Sequence, residues 1–412
     1  VKRQFLSFFA SCVLIMAAAG SASAAGFALY EWSARGNALG GTLVGRADDP
    51  SAVAFNPAGI TQLDGTQVAF GASFAHPICE VETEKSGVVT TSKSDNGIFV
   101  IPQFYVTHKL NDKWSAGFGE FSRFGLGFEY HDDWPGAFNV YEATIKSVSL
   151  NPNIAYQVTD RLSVAVGVEY VYVDLNIKNK YNTGLPPADS PSSELSADGD
   201  GTALTAGIHY KLDNWRFGFG YHSQAKIDAS GDTTVSGMTG RKAVLNGAHK
   251  TTGSVVLPDM LSFGIACYPT KNLSVEVGAI HTRWSTYTDL DLDIETLGPH
   301  PQPKNSDDVW RYNIGVEYGV TDNWDLRASY CFDEAPEDQM YVDYMIPASD
   351  RHLIGVGTGY TFGAWTVDLA YTYIKAEKVN YDKAVTPING ILPGTSKNGV
   401  THMGAVTMGY VF

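Results

Sequence analysis

Along most of the chain apolar and polar residues alternate with a period of two, in blocks separated by short polar turns. Trp215, Phe217, Phe219 and Tyr221 fall on one face of an extended segment, and Arg216, Gly218, Gly220 and His222 on the other. The same alternation runs from Trp310 to Val320, from Trp324 to Tyr330 and from Trp365 to Tyr373. Successive side chains of a strand point to opposite sides, so each block predicts a strand with one greasy face and one face of glycine, small polar and isolated charged residues. The second face suits an enclosed, crowded interior better than open water. Beyond the first two dozen residues no apolar run approaches 18 residues, which excludes helical membrane spans. Trp114, Trp215, Trp324 and Trp365 each begin a strand beside a turn, and aromatic rings at strand ends form the girdle of a membrane barrel. A soluble all-β fold, which also buries Trp, is the alternative.

The turns allow the strands to be counted. Polar junctions stand at Asn111-Asp112, Thr159-Asp160, Asp213-Asn214, Lys271-Asn272, Asp322-Asn323 and Phe362-Gly363. Each interval holds two strands of about 9 to 11 membrane residues and a longer connection. Fourteen strands result: an all-β, antiparallel transmembrane β-barrel over 65–412, with its first strand near Gly65 to His76. Long loops are expected over 182–200, 228–253, 295–305, 333–347 and 377–398. Short turns on one side and long loops on the other is the outer-membrane pattern of Gram-negative bacteria. The ending Met408-Gly409-Tyr410-Val411-Phe412 is one that outer-membrane barrels share, and it implies recognition by the barrel assembly machinery.

Composition fits this and removes other classes. Charged residues make up 18%, against roughly 25% in an average soluble protein. The net charge is −15 and no basic run occurs, which argues against nucleic acid. Lys2 and Arg3, the apolar stretch Phe5 to Ala19 and Ala22-Ser23-Ala24 read as an export signal over 1–24, too short for a membrane anchor. Cys12 leaves with it. Cys79, Cys267 and Cys331 are odd in number and far apart, so neither a disulfide framework nor a zinc site is expected. The acidic stretch Asp333 to Asp343 reads as a solvated loop rather than a calcium site. Ten scattered histidines and no G-x-S-x-G elbow argue against an enzyme. No metal and no cofactor is expected.

Residues 25–64 lack the alternation. A flexible tail is poor in aromatics, yet Phe27, Tyr30, Trp32, Leu39, Leu43, Val53, Phe55 and Ile60 call for burial. The segment is therefore expected inside the barrel as a plug.

Ala25-Gly26-Phe27, Ser33 to Gly41, Ala47-Asp48-Asp49-Pro50-Ser51 and Phe55-Asn56-Pro57-Ala58-Gly59-Ile60 together resemble the hatch of FadL-type outer-membrane transporters of hydrophobic compounds. Gly125-Leu126-Gly127 with Asp132-Asp133-Trp134 resembles the family's third-strand region, and Asn151-Pro152-Asn153 the strand after it. The resemblance implies a fourteen-stranded barrel that binds long-chain fatty acids or other apolar molecules outside and passes them sideways into the outer membrane. It makes Asn56, Pro57 and Ala58 the hatch motif and brings Phe27 to the ligand pocket. Lateral exit needs a local loss of pairing. The glycine-dense third strand, Gly117 to Phe128, offers it at Gly125 and Gly127, with Phe121, Phe124, Leu126 and Phe128 lining a greasy doorway. The plainer reading is that these glycines make space for the plug.

On the fifth strand the inward phase of Ala165, Gly167 and Glu169 continues into Val171, Val173, Leu175 and Ile177, which serve either a ligand tail or packing against folded-in loops. The charges Glu169, Arg216, Glu276, Arg311, Glu317, Arg327 and Asp368 are expected to form a network between wall and plug, since buried charges persist mainly when paired. The expected partners are a hydrophobic small molecule, outer-membrane lipid and lipopolysaccharide, around a monomer. A general diffusion porin or a loop-displaying adhesin is the rival reading.

Overall fold

The computed structural model describes residues 26–338, 340–345, 349–381 and 390–412; the expected export signal lies outside the described residues. Fourteen strands make the wall: β1 (Thr66–Lys85), β2 (Phe99–Lys109), β3 (Trp114–Phe121 and Gly125–Glu129), β4 (Glu142–Gln157), β5 (Leu162–Lys180), β6 (Ser192–Leu212) and β7 (Trp215–His222 and Ala225–Ser236). They continue as β8 (Gly247–Leu257 and Met260–Thr270), β9 (Leu273–Thr282), β10 (Val309–Thr321), β11 (Trp324–Asp333), β12 (Arg351–Phe362), β13 (Trp365–Ala376) and β14 (Gly394–Val411). Each pairs antiparallel with the next. β14 pairs back onto β1 from Gln67↔Val411 to Thr83↔Gly394, which closes the barrel.

The six polar junctions are the six tight turns, and the four tryptophans start β3, β7, β11 and β13 with their rings exposed. Three expected loops are partly strand. Residues 192–200 belong to β6, 228–253 turns only between Ser236 and Gly247, and 295–305 carries Gly298–Pro303 paired with Asp289–Ile294. The cause is length. β5 and β6 run 19 and 21 residues, about twice what a tilted strand needs to cross the bilayer. Above the membrane their outward side chains turn polar, as at Glu194, Asp198 and Asp200, so polarity there does not mark a loop.

The outward face is apolar within the membrane band. Val168 and Leu204 stand opposite each other across β5 and β6 and are 51% and 62% exposed. Arginine in place of Val168 is expected to cost about 2–4 kcal/mol, the range for a charge at the bilayer midplane, read as a lower urea midpoint in lipid vesicles; an unchanged midpoint would place this face away from lipid.

Residues 26–64 fold against the inner wall, and nearly all of them are buried. α1 (Ala34–Ala38) is capped by Ser33, whose Oγ accepts the Gly36 N–H at 3.0 Å. α2 (Ala52–Phe55) leads into a 3-10 turn, Pro57–Gln62, capped by Asn56 through the Ala58 N–H. Pro57 suits the first helical position because it has no N–H to leave unpaired. Asn56 Nδ2 donates to the Val44 carbonyl at 2.9 Å and to the Ile208 carbonyl of β6 at 3.0 Å, tying hatch to wall. The fit is close: a Cβ on Gly218 of β7 would collide with the Val44 carbonyl, so only glycine admits the hatch there.

Candidate functional site

The wall has a window between β2 and β3. Their ladder runs from Lys109↔Ser115 to Phe104↔Glu120 and stops. Above it, among the described residues, 99–103 pairs only with β1 and 125–129 only with β4. The gap closes again where the Asp95 N–H donates to the Glu129 carbonyl at 2.8 Å and the Glu129 N–H to Asn96 Oδ1 at 2.6 Å.

The cause lies in β3. Phe121 faces Ser149 of β4 and Gly125 faces Lys146, so three residues, 122–124, oppose two. One extra residue is a β-bulge, which bends the strand and changes which face each side chain takes. The backbone freed by the bulge is satisfied from inside. The Leu29 N–H donates to the Arg123 carbonyl at 2.7 Å, the Gly125 N–H to the Phe27 carbonyl at 2.9 Å, and Trp32 Nε1 to the Ser122 carbonyl at 2.8 Å. Ser147 Oγ takes the Phe124 N–H at 3.1 Å and donates to the Phe124 carbonyl. The start of the hatch thus replaces β2 as the partner of β3. On the other side of the window Pro102 has no N–H to offer, which keeps that stretch of β2 an edge.

Behind the window lies a cavity of about 520 Å3, within the size range of ligand pockets. It reaches from the hatch at Gly26, Ala28 and Glu31 and the inner wall at Ile374 and Met403 out to Ile98 and Val100, which are exposed on the outer side. Phe124, Gly125, Leu126 and Gly127 line it. Phe128 lines an adjoining cavity with Cys79 and Leu126. The glycines divide by role: a Cβ on Gly117 or Gly119 would meet Val53 of the hatch at 2.8 or 2.7 Å, one on Gly125 would meet Leu29 at 2.7 Å, and Gly127 makes room for the ring of Phe99. Making space for the hatch, the plainer reading, therefore describes Gly125 as well as Gly117 and Gly119.

The other expected site residues lie elsewhere. Phe27 is buried behind the window against Phe124, Trp284 and Tyr287, with ring centroids 5.7, 4.9 and 5.5 Å away. Phe121 points inward onto Trp32 at 5.5 Å. Val171 is buried in the general core, while Val173 and Leu175 line a separate cavity of about 40 Å3, room for little more than a small group, that shares no residue with the window cavity. Asn56, Pro57 and Ala58 sit at the hatch–β6 contact.

Most of the expected charges join hatch to wall. Glu276 accepts the N–H groups of Val44, Gly45 and Arg46 at 3.0, 2.9 and 2.8 Å and pairs with the Arg46 guanidinium at 3.4 Å, both side chains fully buried. Arg35 bridges Asp48 at 2.6 Å, Asp49 at 2.8 Å and Glu317 at 2.8 Å, and Arg327 links Glu317 to Asp368. Burial pushes the Asp48 carboxyl up, and Arg35 outweighs burial and holds it below the ordinary carboxylate range. Arg311 bonds Asp333 at 3.2 Å, with Glu31 at 4.0 Å; Glu169 bonds Arg123. Arg216 is the correction: its Nη1 donates to the Asp213 and Trp215 carbonyls beside the turn, because a long side chain one residue into the strand reaches the open rim more readily than the hatch.

Sequence reasoning missed Phe99, Pro102, Arg123 and Arg351. Pro102 carried a signal, since a proline inside an alternating run marks an edge strand. Arg351 lines the cavity, bonds Asp333 through Nη2 at 2.7 Å and has a buried Nε with no acceptor among the described residues.

A model of the family described as outer membrane protein transport protein (OMPP1/FadL/TodX) matches residues 15–412. Outer membrane protein P1 of Haemophilus influenzae is 27% identical over 438 residues, covering 94% of this chain and 93% of that protein. The long-chain fatty acid transport protein of Escherichia coli strain K12 is 26% identical over 404 residues, covering 87% and 90%. A Pseudomonas aeruginosa FadL homologue of known structure superposes with a TM-score of 0.83 at 19% identity, covering 94% of this chain and 100% of that one. The Pseudomonas putida toluene transporter TodX superposes at 0.68 with 20% identity, covering 92% and 98%. At such identities the two structures bear on the fold alone.

Proposed function

Since the chain belongs to the OMPP1/FadL/TodX family of outer membrane transport proteins, we propose that it takes up hydrophobic small molecules from outside and releases them sideways, through the window between β2 and β3, into the outer membrane. The observation that carries this reading is the unpaired stretch of wall in front of an apolar cavity, beside a bore filled by the hatch. An apolar solute gains about 0.8 kcal/mol per methylene on leaving water, so passage into the bilayer runs downhill and needs only a route past the polar outer leaflet. Water-filled diffusion, as in a porin, needs an open bore.

Val100 is 58% exposed and lines the cavity, so a bulky group there obstructs the exit. Val100→Cys is expected to take up a labelled hydrophobic cargo normally, and about tenfold more slowly once its thiol carries a large maleimide. Equal uptake before and after labelling would rule out lateral release.

The relatives named for fatty acids and for toluene set two cargo classes against each other, and Arg351 favours the first: a guanidinium side chain lining a largely apolar cavity suits a carboxylate head. A charge-assisted hydrogen bond contributes about 1.5–3 kcal/mol. Arg351→Gln is therefore expected to weaken fatty-acid binding at least tenfold while leaving an uncharged hydrocarbon unaffected; equal loss for both would remove the carboxylate role.

A further inference from the structure

Among the breaks in the wall strands are those of β3 at 122–124, β7 at 223–224 and β8 at 258–259. One side chain meets these three. Arg123, within the first and fully buried, sends its guanidinium across the lumen. Nη1 lies 3.3 Å from Glu169 Oε2 and 3.4 Å from the Ser223 carbonyl, and Nη2 lies 3.1 Å from the Pro258 carbonyl. In an unbroken ladder a wall carbonyl is bonded within the sheet; where the strand pauses it turns inward and needs a donor. A planar guanidinium with five N–H groups can serve several such acceptors at once.

From Glu169 the connection continues to the hatch. Its Oε1 accepts Ser149 Oγ at 2.6 Å, and its Oε2 lies 2.8 Å from His222 Nδ1. The second ring nitrogen of His222 donates to the Ala54 carbonyl of α2 at 2.9 Å. Trp32 and Phe121 pack on the imidazole at 5.7 and 6.0 Å and shield the group from water.

We propose that Arg123 is a positioning residue for release: it holds the β3 bulge drawn into the lumen, so that the window stays unpaired, and through Glu169 and His222 it makes the window follow the hatch. This rests on the lateral-release reading. Without the guanidinium, β3 above the bulge is free to zip onto β2. Carried past the bulge with its one extra residue, the Phe104↔Glu120 register brings Ile101 opposite Phe124, both on the inward face, close enough for a disulfide between cysteines at those positions.

The test places Arg123→Met, Arg123→Lys and Glu169→Gln each in the full chain, with and without the pair Ile101→Cys and Phe124→Cys. In the Met variant the cysteine pair is expected to oxidise about tenfold faster and cargo uptake to fall about tenfold, the size of one lost charge-assisted bond; without the cysteines, equilibrium cargo binding stays within about twofold. Lysine, which keeps the charge for Glu169 but cannot span the two carbonyls, is expected to fall between. If the Met variant fails to fold, the Lys and Gln variants decide by the same two readouts. Unchanged oxidation and uptake in folded variants, while the maleimide on Val100→Cys still blocks uptake, overturns the role of Arg123 and leaves lateral release standing. Loss of binding and uptake together, with no gain in oxidation, overturns it as well, because that marks a merely structural residue.

Discussion

Glu276→Ala is expected to turn a closed barrel into one that conducts ions. The carboxylate reaches in from β9 and collects three consecutive hatch N–H groups and the Arg46 guanidinium. Arg46 in turn donates to the Thr42 carbonyl at 2.7 Å, to the Gly315 carbonyl at 3.0 Å and to Ser274 Oγ at 3.2 Å, so one cation ties the hatch to two wall strands. Truncation leaves three buried donors and a buried charge without their acceptor, a loss of about 3–5 kcal/mol for a broken buried pair. That far exceeds the effect of losing any one ordinary hydrogen bond, and it falls on the segment pressed against Gly218. In planar bilayers the parent protein is expected to stay silent and the variant to show conductance steps, with Glu276→Gln between them. A silent Ala variant with unchanged thermal stability would mean that the hatch is held elsewhere.

Removing residue 123 altogether is expected to abolish release more completely than any substitution. The bulge holds one residue more than its partner segment, so a chain lacking Arg123 continues the β3–β4 ladder in register. It also keeps Phe121, Phe124, Leu126 and Phe128 on the inward phase. A straight β3 then meets β2 along the window. Even with Pro102 withholding its N–H, about three new ladder bonds at about 1 kcal/mol each disfavour reopening by roughly a hundredfold. Uptake is expected to drop by that order while cargo still binds, measured by labelled uptake in cells and equilibrium binding in detergent. Uptake at the parent rate would show that the bulge is not the exit.

The strands, the turns and the outward tryptophans were legible because they depend on a period of two and on local turn chemistry. The burial of residues 26–64 was legible because eight large apolar side chains need cover. Strand length was not: above the membrane the outward face of a β-ladder turns polar, so Asp198 and Asp228 look like loop residues. Glycine density pointed to the right region of β3, but the bulge itself is a difference between two pairings, Phe121↔Ser149 and Gly125↔Lys146, and no stretch of sequence contains a pairing. Arg123 and His222 escaped for the same reason, since their meaning lies in breaks on three strands far apart in the chain. Val173 and Leu175 kept their inward phase, yet phase along a strand does not tell which cavity it faces.

Under the proposed route cargo leaves through the wall and not past the hatch. A hydrophobic cargo with a photoreactive tail, activated during uptake and mapped by mass spectrometry, tests this most directly. Adducts are expected at Phe99, Val100 and Ile145, around the window. Adducts concentrated instead at Asp49, Pro50 and Gln67, which line the charged cavity at the tight-turn end of the barrel, would place the route along the bore and contradict it.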